Sequence, residues 1–292
     1  MTMKTSLFPP DVKTVGVVSM SDIISKEVLD RGTNFLAQCG YGVKVMPNVS
    51  GPKVAAPDVR ARLFEDAWLS PDLDILLFSR GGVGAADVVP LIDWEKLRGR
   101  DMRVVGFSDV TLVLNTMLAK GVGHPYSGPM ISSFSKWNDY SLKAFAAALC
   151  GGPLPSHKAR VLKSGAARGL AIGGHITRMH WLFRKGLAPS AASRVVFLEC
   201  TARHVFDVVK VDLEEMRDGG FFRGAAAVVF ADFRHKGEDR RRLKAFIPEF
   251  AATLQCPVFA DYPYGHRADS LTLDFRREVE IGEDGVISWR EP

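Results

Sequence analysis

Three short stretches carry the residue types of a nucleophile, an orienting acid and a base. The first is Arg103-Val104-Val105-Gly106-Phe107-Ser108-Asp109-Val110-Thr111. It reads as a short apolar strand that ends at Gly106, turns at Ser108 and enters a helix, with Leu112, Leu114 and Met117 following. A serine between strand and helix stands at the carboxyl edge of its sheet, where open α/β sheets bind ligands. The helix start leaves backbone N–H groups that can hold a developing negative charge. By itself, a Ser before a helix is more often a simple N-cap. The second stretch, Arg194-Val195-Val196-Phe197-Leu198-Glu199, puts a carboxylate at the end of an apolar strand. Alone it is more often an edge acid or an ion-pair partner. The third, Pro257 to His266, ends a short strand in a loop constrained by Pro263 and Gly265 and carrying His266. A lone loop histidine is usually just exposed. Together, Ser108, Glu199 and His266 are the parts of a serine hydrolase triad. The elbow is not G-x-S-x-G, because Val110 stands at the last glycine's place, so an α/β-hydrolase is not favoured.

A glycine-rich turn, Arg80-Gly81-Gly82-Val83-Gly84, follows another apolar strand. A dinucleotide fingerprint starting at Gly82 would need its third glycine at position 87, where Asp87 stands, so that match fails. One reading is a tight strand-to-helix turn. The other is a glycine N–H that faces Ser108 and forms half of an oxyanion hole, with the N–H of Asp109 as the other half. His124, His157, His175, His180, His204 and His235 have no setting comparable to that of His266, although His175 follows Gly173-Gly174. Cys39, Cys150, Cys200 and Cys256 are far apart and form no CxxC pair. Neither a metal site nor a disulfide framework is expected.

The elements that must position these residues follow from periodicity. Strands are expected at Thr14–Met20, Tyr41–Met46, Asp74–Ser79 and Val104–Val105, alternating with amphipathic helices over Asp22–Cys39 and Asp58–Leu69. Such alternation predicts a parallel, Rossmann-like sheet covered by helices. Gly151-Gly152-Pro153-Leu154-Pro155 is a loop signature. Beyond it come helical stretches at His175–Arg184 and Val205–Met216, apolar runs at Arg194–Leu198 and Ala225–Phe230, and an alternating hairpin pattern over Glu278–Trp289. The expected fold class is α/β, with an N-terminal parallel-sheet domain over 1–135 and a linker over 136–165. A smaller, β-rich α+β domain over 166–292 follows.

The chain has 292 residues, 47% hydrophobic and 24% charged, enough for a full core. Its net charge of +5 is mild and scattered. The run Arg240-Arg241-Arg242 lies in an expected helix, Asp239–Leu254, and reads as a solvated face rather than a nucleic-acid patch. The first ten residues contain no secretory segment and no apolar run reaches membrane-spanning length, so a cytoplasmic protein without nucleic-acid or membrane partners is expected.

At the level of motifs the sequence resembles the LD-carboxypeptidases, serine peptidases that act on muropeptides. Arg80-Gly81-Gly82-Val83-Gly84 resembles the family's RGGYG loop, and Gly106-Phe107-Ser108-Asp109-Val110-Thr111 its GYSDIT nucleophile motif. Ser127-Gly128-Pro129-Met130 resembles HGPM, Ile172-Gly173-Gly174-His175 a GGN segment, Phe197-Leu198-Glu199 the FLED stretch, and Tyr264-Gly265-His266 the segment with the catalytic His. The resemblance implies a nucleophile, Ser108, in the N-terminal domain, and Glu199 and His266 in the C-terminal domain, with the site between them. An oxyanion hole is expected from the backbone of Gly82 and Asp109, and substrate contacts from Gly81, His175 and Arg203. The resemblance also implies no metal or organic cofactor, a small peptide or amide substrate and, in many members, a homodimer. The implied reaction is hydrolysis of the amide between an L-centre diamino acid and a terminal D-Ala of cytoplasmic muropeptides.

Departures from the motifs bear on the substrate. Val83 replaces an aromatic, Asp87 lies where an Arg is expected nearby, Ser127 stands for His and His175 for Asn, and Cys200 and Arg203 follow Glu199 where acids are common. One alternative is a microcin-immunity-type amidase acting on aminoacyl nucleotide analogues, with Trp137 or Trp181 as a base-stacking ring. Another is a non-catalytic two-domain protein that binds a small ligand. Arg203, Arg223 and Arg234 are the candidates to meet a substrate carboxylate.

Overall fold

A computed structural model describes residues 6–231, 233 and 235–291; Arg234 lies outside them. The chain forms two compact units. The first runs to Gly152 and takes in Thr272–Asp274; the second holds Pro153–Leu271 and the residues from Phe275 onward.

In the first unit, strands β1 (Thr14–Val18), β2 (Gly42–Val45), β3 (Ile75–Phe78), β4 (Arg103–Gly106) and β5 (His124–Ser127) alternate with helices α1 (Lys26–Gln38), α2 (Pro57–Leu69), α3 (Ala85–Val88) and α4 (Thr111–Lys120). The five strands are parallel and ordered 2-1-3-4-5. The Val, Ile, Leu and Phe side chains of β1 and β3 are buried, as a sheet covered on both faces requires. Helix α1 begins four residues later than Asp22, because the Ser25 hydroxyl accepts from the Val28 N–H and sets the start. The sheet gains a sixth member from late in the chain: β12 (Leu273–Asp274) pairs antiparallel with β5.

The stretch 136–165, expected as a linker, carries regular structure. Helix α5 (Asp139–Cys150) is capped by Asn138, whose side chain accepts from the Ser141 N–H at 2.9 Å, and it buries Leu142, Phe145 and Leu149. Gly151, at φ 72°, closes that helix, so the glycine-proline signature is a helix stop. Two short strands follow, β6 (His157–Lys158) and β7 (Arg160–Lys163).

The second unit is built on β8 (Ala167–His175), β9 (Arg194–Glu199), β10 (Ala227–Ala231) and β11 (Val258–Tyr262), connected by α6 (Ile176–Arg184), α7 (Phe206–Asp218) and α8 (Gly237–Thr253). These four strands are parallel and form the centre of a sheet ordered β6-β14-β13-β8-β9-β10-β11-β7, where β13 is Glu278–Ile281 and β14 Val286–Trp289. The outer strands pair antiparallel, and β13–β14 is the hairpin expected from alternation. The parallel centre is more regular than the expected mixed pattern. Short apolar runs such as Ala225–Phe230 do not state the direction of their neighbours.

Phe197 of β9 lies at the middle of this unit's core. It is fully buried, and its ring meets Tyr262 at 5.2 Å, Trp289 at 5.9 Å and Tyr264 at 6.4 Å between centroids. The same strand ends two residues later at Glu199, so core packing sets where that carboxylate stands. We expect Phe197→Ala to destabilise the protein by about 3–5 kcal/mol, through lost burial and an unfilled cavity. Chemical denaturation followed by tryptophan fluorescence measures this; a change below about 1 kcal/mol would mean that the cluster does not anchor β9.

Candidate active site

Ser108 occupies the turn between β4 and α4. Its φ is +69°, in the left-handed region that a non-glycine residue enters at a cost of about 1–3 kcal/mol. Helix α4 starts at Thr111, and Val110, which precedes it, makes no side-chain capping bond. Ser108 is therefore not the helix cap. The residue is half-buried.

Two neighbours hold the elbow. Asp109 is buried, and its carboxylate accepts the Ser21 hydroxyl at 2.6 Å and the Ala85 N–H at 3.0 Å. One side chain thereby ties together the loops that follow β1, β3 and β4. Sequence reasoning gave Asp109 only a backbone role; the elbow motif carries no signal of where the side chain points. The other neighbour is Gly81. A Cβ built there would lie 2.9 Å from both Cβ and Oγ of Ser108 and 3.3 Å from the Asp109 nitrogen, so only glycine allows this approach. Gly82, the expected oxyanion donor, has φ +120°, and a Cβ on it would run into the Asp22 carboxylate. The backbone of Gly81 thus packs directly against Ser108.

Within the second unit, Glu199 ends β9 fully enclosed, at 2% exposure. His266 Nδ1 donates to Glu199 Oε2 at 2.7 Å. Burial acts to raise the Glu199 pKa, but the charge and hydrogen bond of His266, with help from His175, outweigh it and hold the carboxyl below its ordinary value. Burial acts to lower the His266 pKa; the Glu199 charge and hydrogen bond outweigh it, while Arg203 works against them, and the imidazole titrates above its ordinary value. Gly265, at φ +91°, packs on the acid: a Cβ there would lie 2.6 Å from Glu199 Oε2.

His175 ends β8 directly opposite Glu199 in the β8–β9 register. It is buried, and its ring lies 6.0 Å from that of His266 and 4.8 Å from that of His204. Burial, only partly offset by Glu199, pushes its pKa down to about 4, so it is a neutral imidazole near neutral pH. Arg203 is exposed in the turn after β9. His204 and the buried His235, whose Nε2 meets the His204 carbonyl at 2.7 Å, belong to the same cluster. Their placement depends on the loops after β9 and β10, which no local pattern announces. Arg223 is set aside as a substrate ligand. It lies in the turn after α7, before β10, at the amino end of the parallel strands, whereas Glu199 and His175 lie at their carboxyl ends. Among the described residues, no group of three or more His, Cys, Asp or Glu side chains is arranged to hold a metal ion, and no helix is long and apolar enough to cross a membrane.

The pair makes a pH-dependent contribution to stability. A carboxyl held below its unfolded pKa stabilises above the ordinary carboxylate range and loses this as pH falls through its folded value. An imidazole held above its unfolded pKa stabilises fully below that ordinary value and loses this as pH rises through its folded value. Both terms operate together around pH 5–6. We expect Glu199→Gln to destabilise more at pH 6 than at pH 8.5, as measured by urea denaturation at the two values; equal losses would mean that the pair is electrostatically idle.

Residues 15–127 match the model of the LD-carboxypeptidase N-terminal domain, and residues 168–281 that of the C-terminal domain. The Streptomyces coelicolor protein SCO6489 is 27% identical over 95% of this chain and 93% of its own length. The murein tetrapeptide carboxypeptidase of Pseudomonas aeruginosa is 23% identical over 94% of each. A solved structure of the microcin C7 self-immunity protein MccF in complex with glutamyl sulfamoyl guanosine has the same fold, with a TM-score of 0.85 over 98% of both chains at 18% identity. With both family domains matched in order and the fold shared from end to end, the chain belongs to the LD-carboxypeptidase family.

Proposed function

We propose that the protein is a serine carboxypeptidase in which Ser108 is the nucleophile, His266 the general base and acid, and Glu199 the residue that orients His266. The observation that carries this reading is the Glu199–His266 pair, a buried carboxylate bonded to Nδ1 of an imidazole at 2.7 Å. A bond at Nδ1 fixes the tautomer and makes Nε2 the base. The strained Ser108 elbow supports the nucleophile's role, since a cost in backbone conformation is retained where geometry matters.

In the proposed reaction, Ser108 Oγ attacks the scissile carbonyl as Nε2 of His266 takes its proton. The oxyanion is held by the N–H of Asp109 and a glycine N–H of the Gly81-Gly82 turn. His266 then gives its proton to the leaving amine, and water hydrolyses the acyl-enzyme. Glu199 stays ionised throughout and stabilises the imidazolium. Arg203 receives the terminal carboxylate of the substrate, and His175 contacts it as a neutral imidazole.

The substrate proposed is a muropeptide stem ending in D-Ala, cleaved at the amide that joins D-Ala to the L-centre of a diamino acid. The P. aeruginosa relative, a murein tetrapeptide carboxypeptidase, supports this choice. The cytoplasm is the expected location and a homodimer the expected assembly. A second reading rests on the likeness to MccF: cleavage of an aminoacyl sulfamoyl nucleotide. Parallel assays on a muramoyl tetrapeptide and on glutamyl sulfamoyl adenosine separate the two, since release of D-Ala from the first alone supports the main proposal.

Replacing Ser108 by Ala should lower kcat by a factor on the order of 10⁴ to 10⁶ and abolish labelling by a fluorophosphonate probe. Full activity in that variant would remove Ser108 from the mechanism. Gly81→Ala places a methyl against Ser108 Cβ and Oγ, and we expect a loss of about 10²-fold in kcat together with a loss of about 1–3 kcal/mol in stability. Unchanged kcat would show that the contact is irrelevant to catalysis.

A further inference from the structure

A cleft opens in the C-terminal unit, between α8 and the carboxyl ends of β10 and β11. Its volume is 580 Å³, within the range of roughly 300–1,000 Å³ usual for small-molecule sites. The side chains of Arg160, Arg240, Lys244 and Arg267 surround it. Its wall is apolar, with Phe230, Leu243 and Ile247 buried and the Phe233 ring set edge-on to Phe230 at 6.0 Å.

Two of the four cations are neutralised. Arg160 Nε meets Asp261 Oδ2 at 2.6 Å, and Arg267 is bound by both oxygens of Asp269. Arg240 and Lys244 have no ion pair or side-chain hydrogen bond among the described residues. They stand one helical turn apart on α8, where like charges repel. The rest of the arginine run differs: Arg241 pairs with Glu238, while Arg242 pairs with Asp207 at 2.6 Å and lies over the Phe206 ring. All three arginines are exposed, as a solvated face requires, and the first also lines the cleft.

The opposite rim is a strained piece of backbone. Asp261 has φ +66°, in the left-handed region, and the β10–β11 pairing slips between Val229 and Ala231. Irregularities of this kind re-aim side chains at functional edges. Here the result is that Asp261 holds Arg160 at the mouth of the cleft.

We propose that this cleft binds a small organic dianion with an aromatic or branched apolar body. The charges of Arg240 and Lys244 match a phosphate monoester or a dicarboxylate, and the Phe230–Leu243 wall takes the body. Arg160 and Arg267, held by their acids, present further N–H donors at fixed positions.

The test is isothermal titration of the full-length protein with phenyl phosphate and with phthalate, using inorganic phosphate and benzoate as controls. The expected result is saturable binding of at least one dianion, several-fold tighter than either control and weakened by salt. The double variant Arg240→Gln, Lys244→Gln should bind it at least tenfold more weakly, while its melting temperature and its hydrolysis of muramoyl tetrapeptide stay as in the parent. Absence of saturation with either dianion overturns the proposal. So does equal affinity in the double variant, which would place the bound anion elsewhere. Because hydrolysis is read separately, failure here leaves the assignment of Ser108 unaffected.

Discussion

A carboxylate taken out of water needs a partner, and in this protein much follows from that need. Glu199 is enclosed at the end of the central strand of the second sheet, where an unpaired charge would be costly. His266 answers it from the loop after β11, and Gly265 is required because the chain must pass directly over the acid. The partnership has consequences in both directions. The acid keeps its charge despite burial, and the imidazole becomes more basic than an isolated one. His175, set opposite Glu199 on the next strand, takes the other outcome and stays neutral. Three titratable groups within one cluster are thereby moved by burial and pairing in different ways, the acid and His175 downward and His266 upward.

The first unit meets a different constraint, one of conformation rather than charge. The chain leaves β4, turns through a left-handed residue at Ser108, and enters α4. Such a turn persists only when its neighbours over-determine it. Asp109 does so by binding the Ser21 hydroxyl and the Ala85 N–H, and Gly81 by allowing its backbone to lie against Ser108. The strain at one residue is distributed over three loops that share the carboxyl edge of one parallel sheet.

What was legible in the sequence divides along a physical line. The parallel strands of the first unit, the Ser108 elbow and the acid at the end of β9 follow from local patterns: apolar runs, glycine punctuation and helix starts. The alternation of strand and helix was enough for the sheet's direction. What was not legible depends on contacts distant in sequence. No local pattern tells that His204 and His235 gather near His175, that the Asp109 side chain reaches Ser21, or that Arg223 ends up at the far end of the sheet from Glu199. The stretch after Phe134 was misleading for a nearer reason. Gly151-Gly152-Pro153 marks the stop of a helix as well as the start of a linker, and only the burial of Leu142, Phe145 and Leu149 decides between them.

The two-residue strand β12 has an implication for how the chain is made. Leu273 and Asp274 complete the sheet of the first unit beside β5, and Asp274 meets His124 at 2.6 Å. A nascent chain emerges in order, so all five parallel strands of that sheet are synthesised well before their sixth partner. Until then, β5 presents an unsatisfied edge of the kind that invites pairing with other chains. The first unit can collapse early on its own core, but it is finished only when the end of the second has been translated. A gene fragment cut at Gly152 would encode a sheet that lacks its border, and the natural boundary between the two units is therefore spatial rather than a point along the chain.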